Sequence, residues 1–281
     1  MSDHKLTTEQ VAGFVQHLKN EERMPGTLEK YRRDVIRFSR WLRRRSVTKE
    51  LASEWKEHLR EKGYQPATVN SMLAVINSFF CFAGWEECRV KYLRIQRRIF
   101  REESKEMSRK EYERLVETAH SLGRERLALL IETIGSTGIR ASEVQYITVE
   151  AARQGRTEIS LKGKIRTILL SSKLCRKLLK YARKNKIASG EMFITRSGKS
   201  LSRRQIWAEM KRLCKYAGVE ASKVFPHNLR HFFATVFYRA YKDIVRLADV
   251  LGHSSVETTR IYLKTTGEDH VRKLDRLGLV V

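Results

Sequence analysis

Residues 225–264 read FPHNLRHFFATVFYRAYKDIVRLADVLGHSSVETTRIYLK, and the periodicity of this stretch predicts a helical scaffold. Pro226 is a natural first-turn residue, and apolar side chains then recur every three or four positions, which predicts a helix with one buried face. That face comprises Leu229, Phe232, Phe233, Val236 and Phe237. A second apolar segment, 245–251, predicts another helix that Gly252 ends, and a serine after it can cap a third. Four polar residues lie at the starts, ends and turns of this scaffold: His227, Arg230, His253 and Tyr262.

The chemistry that these four residue types allow is narrow. A tyrosine hydroxyl, with a pKa near ~10, attacks poorly unless cations or a base help to remove its proton. A guanidinium offers a planar fork of donors that matches two phosphate oxygens, and imidazoles transfer protons near neutral pH. With no carboxylate pair or cysteine cluster nearby in the sequence, the set favours attack on a phosphodiester over metal-assisted hydrolysis.

Each of these residues taken alone has a more ordinary interpretation. A single helical tyrosine usually belongs to a core or an interface, and a single histidine is usually structural. His227 and His231 have the spacing of a zinc-binding helix, but Asn228 stands where a metalloprotease carries its glutamate. The sequence therefore predicts no metal site, and only the joint pattern of the polar residues indicates catalysis.

Composition points to a polyanionic partner. The chain has 281 residues and a net charge of +25, from 57 Lys and Arg against 32 Asp and Glu. Both the first 100 residues and the remaining 181 carry an excess of basic side chains. This distribution favours a nucleic acid held between two domains over a basic tail on a neutral body.

The chain shows no sign of membrane attachment or secretion. No run approaches the ~18 apolar residues that span a bilayer, and the polar start MSDHKLTTEQ is not a signal peptide. The four cysteines lack close pairing and are typical of reduced thiols. We therefore expect a cytoplasmic protein with no membrane contact.

Residues 1–95 are expected to form an all-helical DNA-binding domain, followed by a charged linker over 96–107. The second helix has an apolar face and, nearly opposite, a basic face. That basic face comprises Lys30, Arg33, Arg37, Arg40 and Arg44. A basic face is often simply solvated. Because cations without interleaved acids repel one another, a DNA phosphate backbone is the better interpretation here.

The second domain is expected to span residues 108–281. It opens with a capping box at Ser108 and Glu111, and an apolar helix over 127–134 then ends in a glycine turn that leads to Arg140. Glu143, three residues on, can orient the Arg140 guanidinium by an ion pair. Two β-type segments, 157–161 and 166–170, then flank a hairpin tip with Lys162, which is either solvated or a general acid.

Five motifs occur along the chain in one order: Thr137-Gly138-Ile139-Arg140-x-Ser142-Glu143, the Lys162 hairpin, His227-x-x-Arg230-His231, Leu251-Gly252-His253, and Tyr262. In order and spacing they resemble the tyrosine recombinase (phage integrase) family, and the short chain is similar to its Xer-type members. The resemblance implies a mainly α fold with a helical, SAM-like core-binding domain and a mixed α+β catalytic domain with a small β-hairpin. Together, the two would form a C-shaped clamp.

The resemblance also implies roles for the site residues. Tyr262 would attack the scissile phosphate and leave a 3′-phosphotyrosine, while Arg140 and Arg230 clamp the phosphate oxygens. His227 and His253 would assist proton transfer. Lys162 would protonate the leaving 5′-oxygen; it is preferred to Lys164 because the family's lysine directly precedes the turn glycine. Since side-chain cations take over charge compensation, neither a metal, nor ATP, nor any other cofactor is expected.

The expected substrate is double-stranded DNA with specific recombination sites, exchanged through a Holliday junction by a homotetramer on two duplexes. An accessory protein or a partner recombinase is an open alternative to action alone. The apolar segment 277–281 would dock on a neighbouring protomer. Two other functions remain open: a type IB topoisomerase-like enzyme and a DNA-binding regulator that does not cut.

Overall fold

The computed structural model describes residues 4–95, 106–161, 164–263, 271 and 275–277. The chain divides into two compact units, Met1–Arg97 and Arg98–Val281. Lys162, most of the 96–107 segment and residues 278–281 lie outside the described residues. None of the described helices is both long enough and apolar enough to cross a bilayer.

The first unit is helical throughout its described part. Its helices are α1 (Thr8–Asn20), α2 (Pro25–Leu42), α3 (Lys49–Glu61) and α4 (Pro66–Phe82), followed by the 3₁₀ turn Glu86–Cys88. Thr7 caps α1 in a capping box with Gln10, and Pro25 and Pro66 each occupy a first helical turn, as their fixed φ favours. Aromatic side chains from all four helices fill the core: Phe14, Phe38, Trp55, Phe79 and Phe80.

The segment after α4 is held against that helix by two asparagines. Asn77 donates to the Val90 carbonyl at 2.9 Å and accepts from its amide at 3.1 Å. Asn70, two turns earlier on the same face, makes the same pair of bonds with Leu93 at 2.9 and 2.8 Å. Each side chain thus satisfies backbone groups of a segment with no secondary structure of its own.

The second unit is mixed α and β. Its elements are α5 (Arg109–Ser121), α6 (Glu125–Thr137), α7 (Val149–Gln154), β1 (Arg156–Leu161), β2 (Lys164–Leu169), α8 (Ser172–Lys184), α9 (Arg203–Ala217), α10 (Pro226–Tyr241), α11 (Ile244–Leu251) and α12 (Val256–Thr259). Helix α6 lies at the centre, packed against α5, α8 and α10. Its side chains Leu130, Ile131 and Ile134 are fully buried in the main core of this unit.

The hairpin presents one face to this core. Strands β1 and β2 are antiparallel, with Ile159 opposite Arg166 and Thr157 opposite Ile168. Ile159 and Ile168 are buried, whereas Ile165 is 76% exposed. Because side chains alternate along a strand, Arg166 lies on the same inward face as Ile168.

The prediction for the inner face of α10 is only partly right. Leu229 is fully buried, but the phenylalanines are half-buried and Val236 is 39% exposed. The buried positions are instead Asn228, Leu229, Arg230 and Ala234. Beyond its first turns, the helix packs on a small separate cluster with Leu247, Leu251 and Tyr262, so fewer apolar side chains are enclosed there.

The glycine turn ends the α6 helix as predicted, but the helix runs three residues beyond the predicted 134. The helix continues to Thr137 and ends at Gly138, whose φ of +65° is left-handed. Gly135 lies inside the helix, and the Tyr112 ring passes 2.6 Å from where a Cβ would stand. This glycine therefore serves close packing, and Gly138 serves as the cap that leads to Arg140.

Candidate active site

Arg230 is the buried centre of the site, at 2% exposure. It donates from Nη1 to the carbonyl of Gly138, at the end of α6, and from Nη2 to that of Leu251 at 2.8 Å, at the end of α11. Two helix C-termini thus fix the orientation of the guanidinium. Burial, followed by the charge of Arg140, lowers the pKa of Arg230 to about 10, so the group stays charged at neutral pH.

His253 follows Gly252 and lies against this guanidinium. Its Nε2 is 2.9 Å from Arg230 Nη2, and its Nδ1 is 2.9 Å from the hydroxyl of the buried Thr259. Because an arginine can only donate, Nε2 accepts, and the neutral ring then donates from Nδ1. Burial and the charge of Arg230 lower the pKa of His253 to about 4, so the ring is neutral at pH 7.

Tyr262 belongs to the 3₁₀ turn Arg260–Leu263 and is 4% exposed. Its ring meets the His231 ring edge-on at 4.6 Å and lies nearly parallel to the His253 ring at 5.9 Å. Tyr262 is also near enough to Arg230 to favour the charged form of the guanidinium and so raise its pKa, although burial outweighs this. The candidate nucleophile therefore lies next to a candidate phosphate clamp of its own chain.

Arg140 is positioned by Glu143. The carboxylate accepts from Arg140 Nη1 at 2.7 Å and from its backbone amide at 2.8 Å, in a capping arrangement at the start of the 3₁₀ turn Ala141–Tyr146. Burial raises the pKa of Glu143, but its bond to the Arg140 backbone and the charge of Arg166 outweigh this and leave it lowered. The expected ion pair is present, and the Arg140 side chain remains 44% exposed for a ligand.

A cavity of about 340 Å³ joins three of the predicted residues. Arg140, His227 and Arg230 line it together with apolar side chains that include Ile139, Trp207 and Phe225. His227 is exposed in the first turn of α10. The structure thus gathers Arg140, His227, Arg230, His253 and Tyr262 at one place. Lys162 lies outside the described residues.

The sequence prediction missed Arg166. It donates from Nη1 to Glu143 at 2.9 Å and from Nη2 to the carbonyl of Val250 at 2.7 Å, with a side chain only 10% exposed. The available signal was its position on β2. Inward-facing positions of a packed hairpin are normally apolar, so a charged side chain two residues before Ile168 needs a buried partner.

The predicted basic face of α2 is less uniform than its sequence indicates. Buried Asp34 pairs with Lys30 at 3.0 Å and with Arg33 at 3.3 Å, so the premise of no interleaved acid is wrong. Arg37 donates to the Tyr64 hydroxyl at 3.2 Å.

The far end of this face also differs from the prediction. Helix α2 ends at Leu42, and Arg44 lies past it with a φ of +67°, so Arg44 does not extend the helical row. Arg40 is exposed on the helix and makes no ion pair within the described ranges. The role of these five residues in DNA binding stays a prediction.

Within the described residues, one cluster of three side chains has the atoms to hold a metal ion. His4, Glu87 and Cys88 place their ligand atoms within 4.8 Å of one another. Other contacts account for this arrangement, because His4 pairs with Glu87 at 2.5 Å and Cys88 donates to the Val47 carbonyl at 3.8 Å. The cluster belongs to the first unit, whereas Tyr262 belongs to the second.

Comparison with sequence families matches both units. The model of the phage integrase family matches residues 105–268, and that of the phage integrase N-terminal SAM-like domain matches residues 11–87. The chain is 30% identical over 277 residues to tyrosine recombinase XerA of Thermococcus kodakarensis, covering 94% of this chain and 93% of that protein. It is 28% identical to tyrosine recombinase XerC of Roseiflexus castenholzii, covering 90% and 88%.

Solved structures share the fold at lower identity. XerH recombinase bound to its difH substrate in a pre-cleavage complex matches with a TM-score of 0.68 and 20% identity, over 92% of this chain and 82% of that one. A lambda integrase dimer bound to a COC′ core site matches with a TM-score of 0.73 and 16% identity, over 92% and 78%. These likenesses confirm the mainly helical fold with its small antiparallel sheet.

Proposed function

This chain belongs to the phage integrase family of tyrosine-type site-specific recombinases, and we propose that it cuts and rejoins DNA strands through a covalent bond to Tyr262. One observation carries the proposal. One histidine, His253, contacts both a buried tyrosine and a buried arginine, and a second, half-exposed arginine lines the same cavity as the first.

The geometry supports a division of labour among these residues. In the free protein, Arg230 donates to two carbonyls and to His253. Arg140 keeps an exposed side chain, so it would meet an incoming phosphate first. Arg230 would then exchange its bond to His253 for a bond to a phosphate oxygen, which would bring the phosphorus atom close to Tyr262. Fixed cations of this kind stabilise charge that develops in the transition state.

The step balances as a transesterification. The Tyr262 oxygen forms a bond to phosphorus while the bond from phosphorus to the 5′-oxygen breaks, and the tyrosine proton passes to an imidazole. His227, exposed in the shared cavity, and His253, neutral at pH 7, are the candidate acceptors. The leaving 5′-oxygen takes a proton, for which we assign Lys162. A 5′-hydroxyl from another strand then reverses the step, so no bond energy has to be supplied.

We further propose that the substrate is double-stranded DNA carrying two recombination sites. A homotetramer would hold the two sites and exchange their strands through a Holliday junction. The net charge of +25 over both units supports contact with phosphates along both. Two relatives in fold, XerH and lambda integrase, were solved on DNA, which supports the same substrate class for this chain. We also propose that the reaction uses no metal ion and takes place in the cytoplasm.

Covalent trapping tests it directly. Nicked suicide duplexes drawn from the DNA flanking the gene are incubated with the wild-type protein and with Tyr262→Phe, then separated on a denaturing gel. We expect a slowly migrating protein–DNA band for the wild type and none for the variant, because phenylalanine lacks the attacking oxygen. Tyr238→Phe is the matched control, since Tyr238 packs on the same apolar cluster and should leave the band unchanged.

The alternatives give different results. Sequence-selective binding without a band from either protein would favour the non-cutting regulator. Covalent complexes on any duplex, with relaxation of plasmids that lack a specific site, would favour the topoisomerase-like enzyme. A band that persists in Tyr262→Phe would disprove the assignment of the nucleophile.

A further inference from the structure

We propose that Arg166 is a positioning residue for strand transfer: it fixes Arg140 and His253 relative to each other and attaches the hairpin to both. The inference rests on the proposed function of the site. Nothing in the family motifs above assigns Arg166, and it does not line the cavity shared by Arg140 and His227. It would act through its neighbours, not on the substrate.

The first link runs from Arg166 to Arg140. Glu143 is 2% exposed and accepts from Arg166 on one oxygen and from the Arg140 guanidinium on the other. A carboxylate held on both oxygens cannot rotate. The bond from Arg166 to Glu143 therefore also fixes the orientation of the Arg140 side chain. Replacing the planar fork by an ammonium would keep a charge but lose one of the two directed bonds.

The second link runs from Arg166 to His253. Val250 and Leu251 end helix α11, and their carbonyls accept from Arg166 and Arg230 respectively. Gly252 follows in the left-handed region at φ +64°, and a Cβ there would stand 2.2 Å from Arg166 Cδ. The Arg166 stem therefore packs directly on the residue before His253. Two guanidiniums, one on each of the last carbonyls, hold the turn that carries the histidine.

The third link is the hairpin itself. Arg166 lies on the inward face of β2, and in the sequence Lys162 stands between β1 and this strand. Its two bonds to residues outside the hairpin attach the strand to the phosphate clamp. One side chain thus connects three parts of the chain that each carry a proposed catalytic residue.

The energetics also favour a functional role. Arg166 Nε is buried without a hydrogen-bond partner among the described residues, an arrangement that is unfavourable for folding. An apolar side chain of similar size in a buried position is commonly as stable as a buried ion pair. The arginine is therefore better explained by the orientation that it imposes than by the stability that it adds.

The test compares Arg166→Lys with Arg156→Lys, an exposed arginine of β1 in the same hairpin. The readout is the single-turnover rate of covalent complex formation on the suicide duplex that the wild type cleaves. Since a misplacement of ~1 Å lowers rates about 100-fold, we expect that loss for Arg166→Lys, with DNA affinity within about twofold. Arg156→Lys should cleave at the wild-type rate.

Two further measurements separate positioning from general destabilisation. Combined with Glu143→Gln, Arg166→Lys should add little to the loss in rate, because both act on one chain of contacts. In the DNA-free protein, the imidazole NMR signal of His253 should move in Arg166→Lys, where the charge is kept, and stay in place in Arg156→Lys. If the lysine variant unfolds, Arg166→Met takes the same tests.

The outcomes are distinguishable. A wild-type protein that forms no covalent complex contradicts the proposed function, and the His253 signal still decides whether Arg166 positions the histidine. A wild type that cleaves, with Arg166→Lys cleaving at the same rate, overturns the inference alone. Equal losses in rate for the two lysine variants would overturn it as well.

Discussion

The two units of this chain place their cations in opposite ways. In the first unit, the arginines of α2 stand on the surface, and at most a neighbouring carboxylate or phenol restrains them. In the second unit, Arg230 and Arg166 are buried, with backbone carbonyls and Glu143 as partners. The exposed cations of the first unit can attract a polyanion. The buried guanidiniums of the second unit hold neighbouring groups in fixed orientations.

This difference has a physical reason. An exposed cation attracts DNA phosphates over about a Debye length and loses strength as salt screens it. A buried guanidinium is little screened, but it requires hydrogen bonds to offset its desolvation. We therefore expect substitutions in the second unit to change rates and folding, and substitutions on α2 to change affinity and its salt dependence.

The largest effect is expected for Arg230→Lys. Replacing the guanidinium by an ammonium removes one donor to the phosphate and leaves one carbonyl without its donor. The rate of cleavage should therefore fall about 10²- to 10³-fold, as it does when an oxyanion-hole donor is removed. DNA affinity should change little because the side chain is 2% exposed. Single-turnover cleavage and a binding titration measure the two quantities.

Arg239→Lys is the matched control, because Arg239 is exposed further along the same helix. It should cleave at the wild-type rate. If Arg230→Lys weakened DNA binding as strongly as it slowed cleavage, the claim that buried arginines affect the rate and not the affinity would be wrong.

Glu143→Gln should produce the next largest effect, on folding. The variant leaves Arg166 buried without a counter-charge, and breaking a buried pair costs about 3 kcal/mol. Glu113→Gln removes the exposed partner of Arg109 and should cost no more than about 0.5 kcal/mol. Urea denaturation of both variants compares them, and equal free energies of unfolding would contradict the role assigned to burial.

The same contrast explains what the sequence could reveal. Helix caps and prolines give local signals, so the helix starts at Ser108 and Pro226 are predictable. Motif spacing identified five candidate residues that the structure places together. Burial depends on partners distant in sequence, and so the pairing of Asp34, the exposure of Val236 and the bonds of Arg166 were missed.

On α2, Arg40→Gln should weaken DNA binding more than Arg33→Gln. Arg40 makes no ion pair within the described ranges, whereas Arg33 has Asp34 as an alternative partner. Loss of one phosphate contact reduces the slope of log K against log salt by about 1. Titrations at several salt concentrations measure this slope. Unchanged slopes for both variants would mean that this face does not meet the phosphate backbone.

The smallest expected effect is on the stability of the fold at acidic pH. His253 has a pKa lowered to about 4 from its usual 6.5, so between these values the unfolded chain binds a proton that the folded chain does not. Stability from this residue is therefore complete above pH 6.5 and declines as the pH falls towards 4. Glu143, whose pKa is lowered, loses its contribution only below 4.5. His253→Gln should flatten the decline between pH 6.5 and 4.5 in thermal unfolding. An unchanged decline would mean that another group titrates there and that the pKa of His253 is not lowered in the folded protein.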